Sequence, residues 1–347
     1  MTLSGAPLRV GVSLSNESPV RETVALAQLA EQVGMAEVSI PESRHGRGVF
    51  TVAGQVAGST ERIVIGIGVV NPFWRHPSVI AMEAAALDEA CGGRLHLGLG
   101  AGLWTLRALG EDDPRTARPL AAMREAIIVV RALLAGGDGI DGAVFPVRRE
   151  ARLDFDLERG RVPVYVGAVN ARMLEVAGQL ADGVQLGAIT SPGYARWAWG
   201  QIEAGARSAR RDPSALDLTS NVLVSVHDDP RLARDAVRPV LAYYLKRVEG
   251  VVISTSGADP VQVAKVRDAV TAGGVAAGAA AVSEELIDVF AAAGSPDQVA
   301  RRLNEFAAAG IRGLLAWYVL GPDPVAGLRQ LAAEVVPLVL ERATATG

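Results

Sequence analysis

The stretch IGIGVVNPFWRHPSV, from Ile65 to Val79, decides the fold. Its first part is an almost continuous run of apolar residues and glycine, which predicts a strand buried on both faces of a sheet. The loop that follows crowds Asn71, Trp74, Arg75, His76 and two prolines together, and a helix is expected from Ser78 to about Ala90. A loop so rich in polar and aromatic groups at the end of a core strand indicates a binding site.

The same plan of strand, loop and helix repeats along the chain. Near-continuous apolar strands connected by helices predict a parallel sheet covered on both faces. The count is eight strands, which predicts an α/β fold of the (β/α)8 TIM barrel type. A doubly wound open sheet is the alternative, but the first turn reads SNESPV instead of a glycine-rich fingerprint. The predicted strands are residues 8–14, 36–40, 62–70, 94–100, 163–166, 183–186, 218–226 and 313–316.

Two segments interrupt the repeat within one predicted barrel domain, residues 1–347. The first, about 136–156, contains GGDGIDG and is expected to be a surface excursion with short strands. The second, about 246–282, is rich in alanine and glycine and is expected to cover the active site, because long barrel insertions tend to do so. Beyond it, Ser295 and Gln298 have the spacing of a capping box.

Composition excludes several classes of protein. The chain has 347 residues, half of them apolar, a net charge of −4 and no basic run, so neither nucleic acid nor an anionic membrane is an expected partner. No apolar stretch reaches the length of a membrane span and no leader segment is evident, which predicts a cytoplasmic protein. Cys91 is the only cysteine and is expected to be buried. The four histidines are scattered, so no metal site is predicted.

The loops after the predicted strands carry the candidate chemistry, because barrel active sites form at that end. Strand two is followed by Glu42, Arg44, His45 and Arg47, and three later strands are followed by glycine- and alanine-rich loops. Small residues let backbone N–H groups approach a ligand, and free N–H groups at a helix start bind phosphate. The three loops together predict a phosphorylated cofactor. They are residues 98–102, 167–170 and 187–191.

Three motifs carry a resemblance over nearly the whole chain: GIGVVNPFWRHP, GRLHLGLGAG and PVYVGAVNARMLEVAGQLADGV. They resemble the bacterial-luciferase-like superfamily of flavin- and deazaflavin-dependent oxidoreductases, most closely its F420-dependent methylenetetrahydromethanopterin reductases. The resemblance implies coenzyme F420 as the cofactor, with FMN as the alternative. It also implies a homodimer that associates through the second and third helices.

The resemblance further implies a cofactor site. The bond between Gly68 and Val69 corresponds to a non-prolyl cis peptide that supports the cofactor ring from behind. Residues of the following loop would fix that loop and the polar edge of the cofactor, and Arg44, Arg47 and Arg75 would face its anionic tail. The implied cofactor-binding residues are Gly68, Val69, Asn71, Arg75, His76, Gly100, Ala101, Gly102, Gly167, Ala168, Val169, Ala188 and Ile189. For His76 a turn that starts the third helix is the alternative, and for Arg75 a surface cation.

Three residues are predicted to take part in catalysis. Glu42 corresponds to an acidic family residue beside the pocket, and Ser13 stands where the methanopterin reductases carry a glutamate. Because serine is a poor proton donor, the methanopterin substrate is in doubt, and Glu42 or His45 becomes the candidate donor. The alternative for Glu42 is a salt bridge to Arg44 or Arg47.

The predicted function is hydride transfer between reduced F420 and an organic substrate. The acceptor would be a C=C or C=N bond, in a secondary metabolite or in a dehydro-amino acid of a peptide. Two alternatives stay open at this point: an FMN-dependent monooxygenase of the luciferase type, and a barrel that binds flavin without turnover.

Overall fold

A parallel barrel forms the body of the protein. The computed structural model describes residues 8–42, 46–102, 106, 110, 117–187 and 189–345. Eight strands pair side by side in parallel and close the barrel, because the first strand pairs with both the second and the last. The strands are β1 Arg9–Ser13, β2 Glu37–Ile40, β3 Val64–Val70, β4 Leu95–Gly100, β5 Val164–Gly167, β6 Gly183–Leu186, β7 Asp217–Val226 and β9 Gly313–Leu320. The predicted (β/α)8 barrel is therefore confirmed.

A ninth strand, β8 Ala291–Gly294, was not expected from the sequence. The strand β7 has ten residues, and its first half pairs with β6 while its second half pairs with β8. The prediction of eight strands missed β8 because its sequence is AAAG, and alanine and glycine have low strand propensity. Pairing with the end of β7 overrides that propensity.

Helices follow the strands and cover the outside of the barrel. The helix predicted over residues 171–180 is found as Ala171–Leu180, and the one predicted from Ser78 begins at Pro77. The capping box of Ser295 and Gln298 is present. The helices are α1 Val20–Gln32, α2 Val49–Ala57, α3 Pro77–Ala90, α4 Pro119–Leu134, α5 Ala171–Leu180, α6 Pro192–Ser208, α7 Pro230–Leu245, α8 Gly250–Ser256, α9 Pro260–Ala281, α10 Glu284–Phe290, α11 Pro296–Ala308, α12 Pro324–Gln330 and α13 Val336–Ala345.

The segment 136–156 forms no strand, so that part of the prediction was wrong. Its backbone is instead organised by Glu125 on α4, whose carboxylate accepts hydrogen bonds from the N–H groups of Ala143 (3.0 Å), Val144 (2.7 Å) and Phe145 (3.0 Å). Burial acts to raise the pKa of Glu125, but these three donors outweigh it and lower the pKa. A side chain therefore takes the place of the expected strand pairing.

The segment 246–282 forms the helices α8 and α9, with a kink at Gly273 and Gly274. It contacts the end of the barrel where the strands finish, because a Cβ on Gly193, in the first turn of α6, would meet the carbonyl oxygen atoms of Thr255 and Ser256. That this segment covers the active site stays a prediction. Across the described residues no single helix suits a membrane span, and only the bent pair Pro260–Ala281 and Glu284–Phe290 has the required length and composition.

The N-terminal end of the barrel interior is closed by paired polar side chains. Asp217 binds the guanidinium of Arg9 and accepts a hydrogen bond of 2.7 Å from the hydroxyl of Tyr165. The rings of Tyr165 and His96 stack with 4.5 Å between centroids, and His96 Nε2 lies 3.1 Å from a carboxylate oxygen of Glu37. Burial, and then Asp217, raise the pKa of Tyr165. Because this end is filled, the candidate site lies at the other end.

Candidate active site

The wall formed by β3, β4 and β5 has an unusual shape at the barrel mouth. The peptide bond between Gly68 and Val69 is cis, at the bond singled out by the family resemblance. The side chain of Val69 projects over the two following strands, where a Cβ would lie 2.7 Å from Val69 Cγ1 at Gly98 and 3.2 Å from it at Gly167. A Cβ on Gly100 would collide with Val69 Cγ2. Glycine at these three positions therefore lets Val69 lie inside the barrel.

The loop after β3 is held by Asn71. Its side-chain amide donates to the carbonyl oxygen of Ala101 at 2.8 Å, and its Oδ1 accepts from the N–H of Phe73 at 2.8 Å. Asn71 thus ties the loop after β3 to the loop after β4. The family resemblance placed Asn71, Ala101 and Gly102 beside the cofactor, and the structure brings all three together at the mouth.

His76 begins the helix that follows. Its Nδ1 accepts a hydrogen bond from the N–H of Ser78 at 3.3 Å and lies 2.8 Å from the Ser78 hydroxyl, and its ring meets Phe145 edge to face. This is the N-cap of α3. The turn that the sequence offered as an alternative for His76 is therefore present, and direct contact with a cofactor stays a prediction.

Arg75 lies between two carboxylates. Its guanidinium forms an ion pair with Glu42 and another, of 2.9 Å, with Glu83, and it lies 5.5 Å from the ring centre of Phe50. Burial, and then the nearby charge of Glu42, raise the pKa of Glu83 while Arg75 opposes them. The salt-bridge alternative for Glu42 is thus realised with a partner that the sequence did not indicate.

The structure shows which protein groups two of the three predicted rim arginines contact. The charge of Arg75 is shared between Glu42 and Glu83, and the guanidinium of Arg47 donates to the backbone carbonyl of Glu17. Arg44, like the predicted catalytic residue His45, lies outside the described residues. Arg47 and Arg75 thus serve the loops they belong to, and their binding of a cofactor tail stays a prediction.

The loops after β5 and β6 present backbone to the mouth. Ala168 and Ile189 have buried side chains, and the carbonyl of Val169 accepts a hydrogen bond of 2.8 Å from the hydroxyl of Tyr194. Each loop leads directly into a helix, α5 or α6. Among the residues that the structure describes, none has an atom within 4 Å of the position that a Cβ on Gly187 would take. Ala188, also predicted to bind cofactor, lies outside the described residues.

Ser13 ends β1 and points into the barrel. It pairs in register with Ser39 on β2 and with Trp317 on β9, and it is buried. The three predicted catalytic residues thus differ. Glu42 forms an ion pair with Arg75, Ser13 faces the barrel interior, and His45 lies outside the described residues. The sequence did not indicate Ser39, Gln185 or Asn221, whose side chains also face inward. The sequence pattern that could have found them is the alternation of inward and outward side chains along each strand. That pattern identifies them only when it is known which residues of the strand face inward.

Comparison with known proteins places this geometry in a family. The model of a family described as luciferase-like monooxygenase matches residues 3–313. The chain belongs to this luciferase-like family. It is 31% identical over 329 residues to a 5,10-methylenetetrahydromethanopterin reductase of Methanolobus tindarius, covering 94% of this chain and 99% of the relative. The chain is accordingly an oxidoreductase, and the suspected classification is confirmed.

Two further relatives of this luciferase-like protein are also oxidoreductases by name. An F420-dependent glucose-6-phosphate dehydrogenase of Beutenbergia cavernae is 30% identical over 352 residues, with 96% of this chain and 98% of the relative covered. The solved structure of the coenzyme F420-dependent tetrahydromethanopterin reductase of Methanopyrus kandleri superimposes with a TM-score of 0.89 at 26% identity, covering 96% of this chain and 99% of that one. The names of these two relatives share the cofactor F420 but differ in the substrate, glucose-6-phosphate in one and tetrahydromethanopterin in the other.

Proposed function

We propose that the protein is an F420-dependent reductase that transfers a hydride between reduced F420 and a C=C or C=N bond of a small organic molecule. The observation that carries the proposal is the mouth wall in which Val69 lies over Gly98, Gly100 and Gly167. A flat ring can pack against the Val69 side chain, which lies inside the barrel because these three positions lack side chains. The F420-dependent relatives support the choice of cofactor.

The residues present fit this cofactor. Gly68 and Val69 would support the ring, and the loops after β4, β5 and β6 would hold the phosphodiester tail through backbone N–H groups at the starts of α5 and α6. When bound, F420 supplies a hydride at its ring. A charged side chain is not required for the tail in this arrangement, which agrees with the engagement of Arg47 and Arg75 elsewhere.

The protein's own part in the reaction is to exclude water and to present a hydrogen-bonding group to the acceptor. Ser13 is the inward-facing hydroxyl at the end of β1. The carboxylate of Glu42 is engaged by the guanidinium of Arg75 and by the N–H of Asn71 in the loop after β3. A substrate in a secondary metabolite, or a dehydro-amino acid in a peptide, provides acceptors of the required kind.

The test is a side-by-side titration of the purified protein with F420 and with FMN, followed by fluorescence. We expect micromolar or tighter binding of F420 and at least tenfold weaker binding of FMN. The variant Gly100→Val, whose side chain would collide with Val69 and displace it, is expected to remove F420 binding and serves as the control for site-specific signal. A preference for FMN would overturn the proposal in favour of a luciferase-type monooxygenase, and binding of neither would favour a barrel without turnover.

The proposal includes a cytoplasmic homodimer of single-domain barrels, residues 1–347, that acts on small molecules or peptides. Support for the dimer comes from α3, where the side chains of Val79 and Met82 are 40% and 54% exposed. We expect Met82→Glu to yield a monomer in size-exclusion chromatography with light scattering. Val261→Glu, equally apolar and exposed but on α9, is the matched control and should leave the oligomeric state unchanged.

A further inference from the structure

Three uncharged polar side chains lie together in the barrel interior beside Gly68, and a fourth lies on the neighbouring strand β7. Ser13 and Ser39 are register neighbours on β1 and β2. Gln185 reaches toward them from β6, because a Cβ on Gly68 would lie 2.7 Å from Gln185 Nε2 and 2.8 Å from its Oε1, and would collide with Ser39 Oγ. Asn221 lies on the neighbouring strand β7 and faces the same interior. We call these four residues the interior cluster: Ser13, Ser39, Gln185 and Asn221.

The interior cluster is buried but unpaired. The exposed fractions are 5% for Ser13, 0% for Ser39, 3% for Gln185 and 7% for Asn221. Both serine hydroxyls, Gln185 Oε1 and Asn221 Oδ1 have no hydrogen-bond partner within the described part of the chain. A buried polar group without a partner is destabilising, and such groups in native proteins are rare. Four in one place therefore indicate a bound partner.

That partner is uncharged. All four side chains are neutral, and together they offer hydroxyl and amide donors as well as carbonyl acceptors. The next inward-facing residue of β2 below Ser39 is Glu37, whose carboxylate lies 3.1 Å from His96 Nε2. A carboxylate or an ammonium group in the interior cluster would be buried without a counterion, which costs several kcal/mol.

The interior cluster is reached from the mouth. The register of Leu186 with Ser220 brings the next residue of each strand, Gly187 and Asn221, side by side. No atom of the described part of the chain lies within 4 Å of the position that a Cβ on Gly187 would take. A group that enters at Gly187 thus meets Asn221 first and Gln185 below it.

We propose that the interior cluster binds an uncharged group that both donates and accepts hydrogen bonds. In the free protein this group is water, and in the complex it is either the same water or the amide or hydroxyl end of the substrate. The second source rests on the proposed function and deepens it, since it restricts the hydride acceptor to molecules whose inserted end is neutral and polar.

The first experiment measures thermal unfolding and needs neither cofactor nor substrate. Gln185→Met keeps the length of the side chain and removes its amide. A cluster satisfied by water loses hydrogen bonds, so we expect the Tm to fall by about 2–4 °C. A dry cluster would instead be relieved of an unpaired amide, and an unchanged or raised Tm overturns the proposal. Ser220→Ala, which removes a buried hydroxyl bonded to Thr190 at 3.0 Å on the outward side of β7, is the control for hydroxyl loss.

The second experiment compares two probes of nearly the same shape, cinnamamide and cinnamate, which both offer a C=C bond but differ in charge and in the N–H donors of the amide. Calorimetry on the F420-loaded protein is expected to give at least tenfold tighter binding of the amide. Gln185→Glu, which has the same shape but adds a charge, should abolish that preference. Equal affinities in the wild-type protein contradict a neutral site. If F420 itself fails to bind, the proposed function falls, while the Tm of Gln185→Met still decides whether the interior cluster is hydrated.

A crystal structure distinguishes the two sources. Density within hydrogen-bond distance of Gln185 and Ser39 in the free protein supports hydration, and its absence overturns the proposal. Persistence of that density in the cinnamamide complex identifies water as the ligand, whereas its replacement by the amide identifies the substrate.

Discussion

The two ends of the barrel interior are both polar, but they differ in charge and in pairing. At the N-terminal end Arg9 forms an ion pair with Asp217, and a carboxylate oxygen of Glu37 lies 3.1 Å from His96 Nε2. Toward the mouth the inward-facing groups are neutral, and the four of the interior cluster are unpaired. Paired buried charges hold strands in place, whereas unpaired neutral groups are available to a ligand. Stability and binding should therefore be separable by mutation along the barrel axis.

The largest expected effect is at the N-terminal end. Asp217→Ala removes the partner of both Arg9 and Tyr165 and should lower the free energy of unfolding by about 3 kcal/mol, as for other partly buried ion pairs that lose one member. F420 affinity should change by less than threefold. Urea denaturation and an F420 titration check the two parts. Asp217→Asn, which can still bind Tyr165, should lose less, and an equal loss would show that the phenol contributes nothing.

A smaller effect is expected at the mouth, and there it concerns F420 binding instead of stability. Gly100→Ala places a methyl group against Val69 and should weaken F420 binding at least tenfold, about 1.4 kcal/mol, because Val69 must move. Val69→Ala alone should have less effect, and the double variant Gly100→Ala with Val69→Ala should recover most of the affinity. Fluorescence titration of the three variants measures this. If the double variant is as weak as Gly100→Ala, the wall formed by Val69 is not the determinant.

The smallest expected effect concerns Arg75. Like the residues of the N-terminal end it is charged and paired, but it lies near the mouth. Arg75→Met leaves Glu42 and Glu83 facing each other and should reduce stability at pH 8 by about 1 kcal/mol. Burial and the charge of Glu42 raise the pKa of Glu83 above its ordinary 4.5. The folded protein therefore gains stability when Glu83 is protonated. This gain is fully present below pH 4.5 and is lost as the pH rises through the higher pKa of the folded state. The Tm difference from the wild-type protein should therefore shrink between pH 8 and pH 5. A constant difference would assign the loss to packing against Phe50.

The parts of this molecule that sequence could predict are those with a regular period or a family motif. The barrel, the helix Ala171–Leu180 and the cis bond after Gly68 were all indicated in this way. The strand β8 was missed because AAAG has no strand signal and depends on β7 for pairing. Gln185 was missed because a four-residue strand does not reveal which face is inward. The pairing of Arg75 with Glu42 and Glu83 was missed because it joins three separate elements.

Because β7 pairs first with β6 and then with β8, the barrel can be completed only late in the synthesis of the chain. The wall beside the second half of β7 is completed by β8, which lies beyond the whole segment 246–282 in the chain. A ribosome that has released the first six strands has therefore produced an open sheet with two unpaired edges. The rim of the mouth is finished only after residue 294 has emerged, and the barrel closes only when β9 joins β1 and β7.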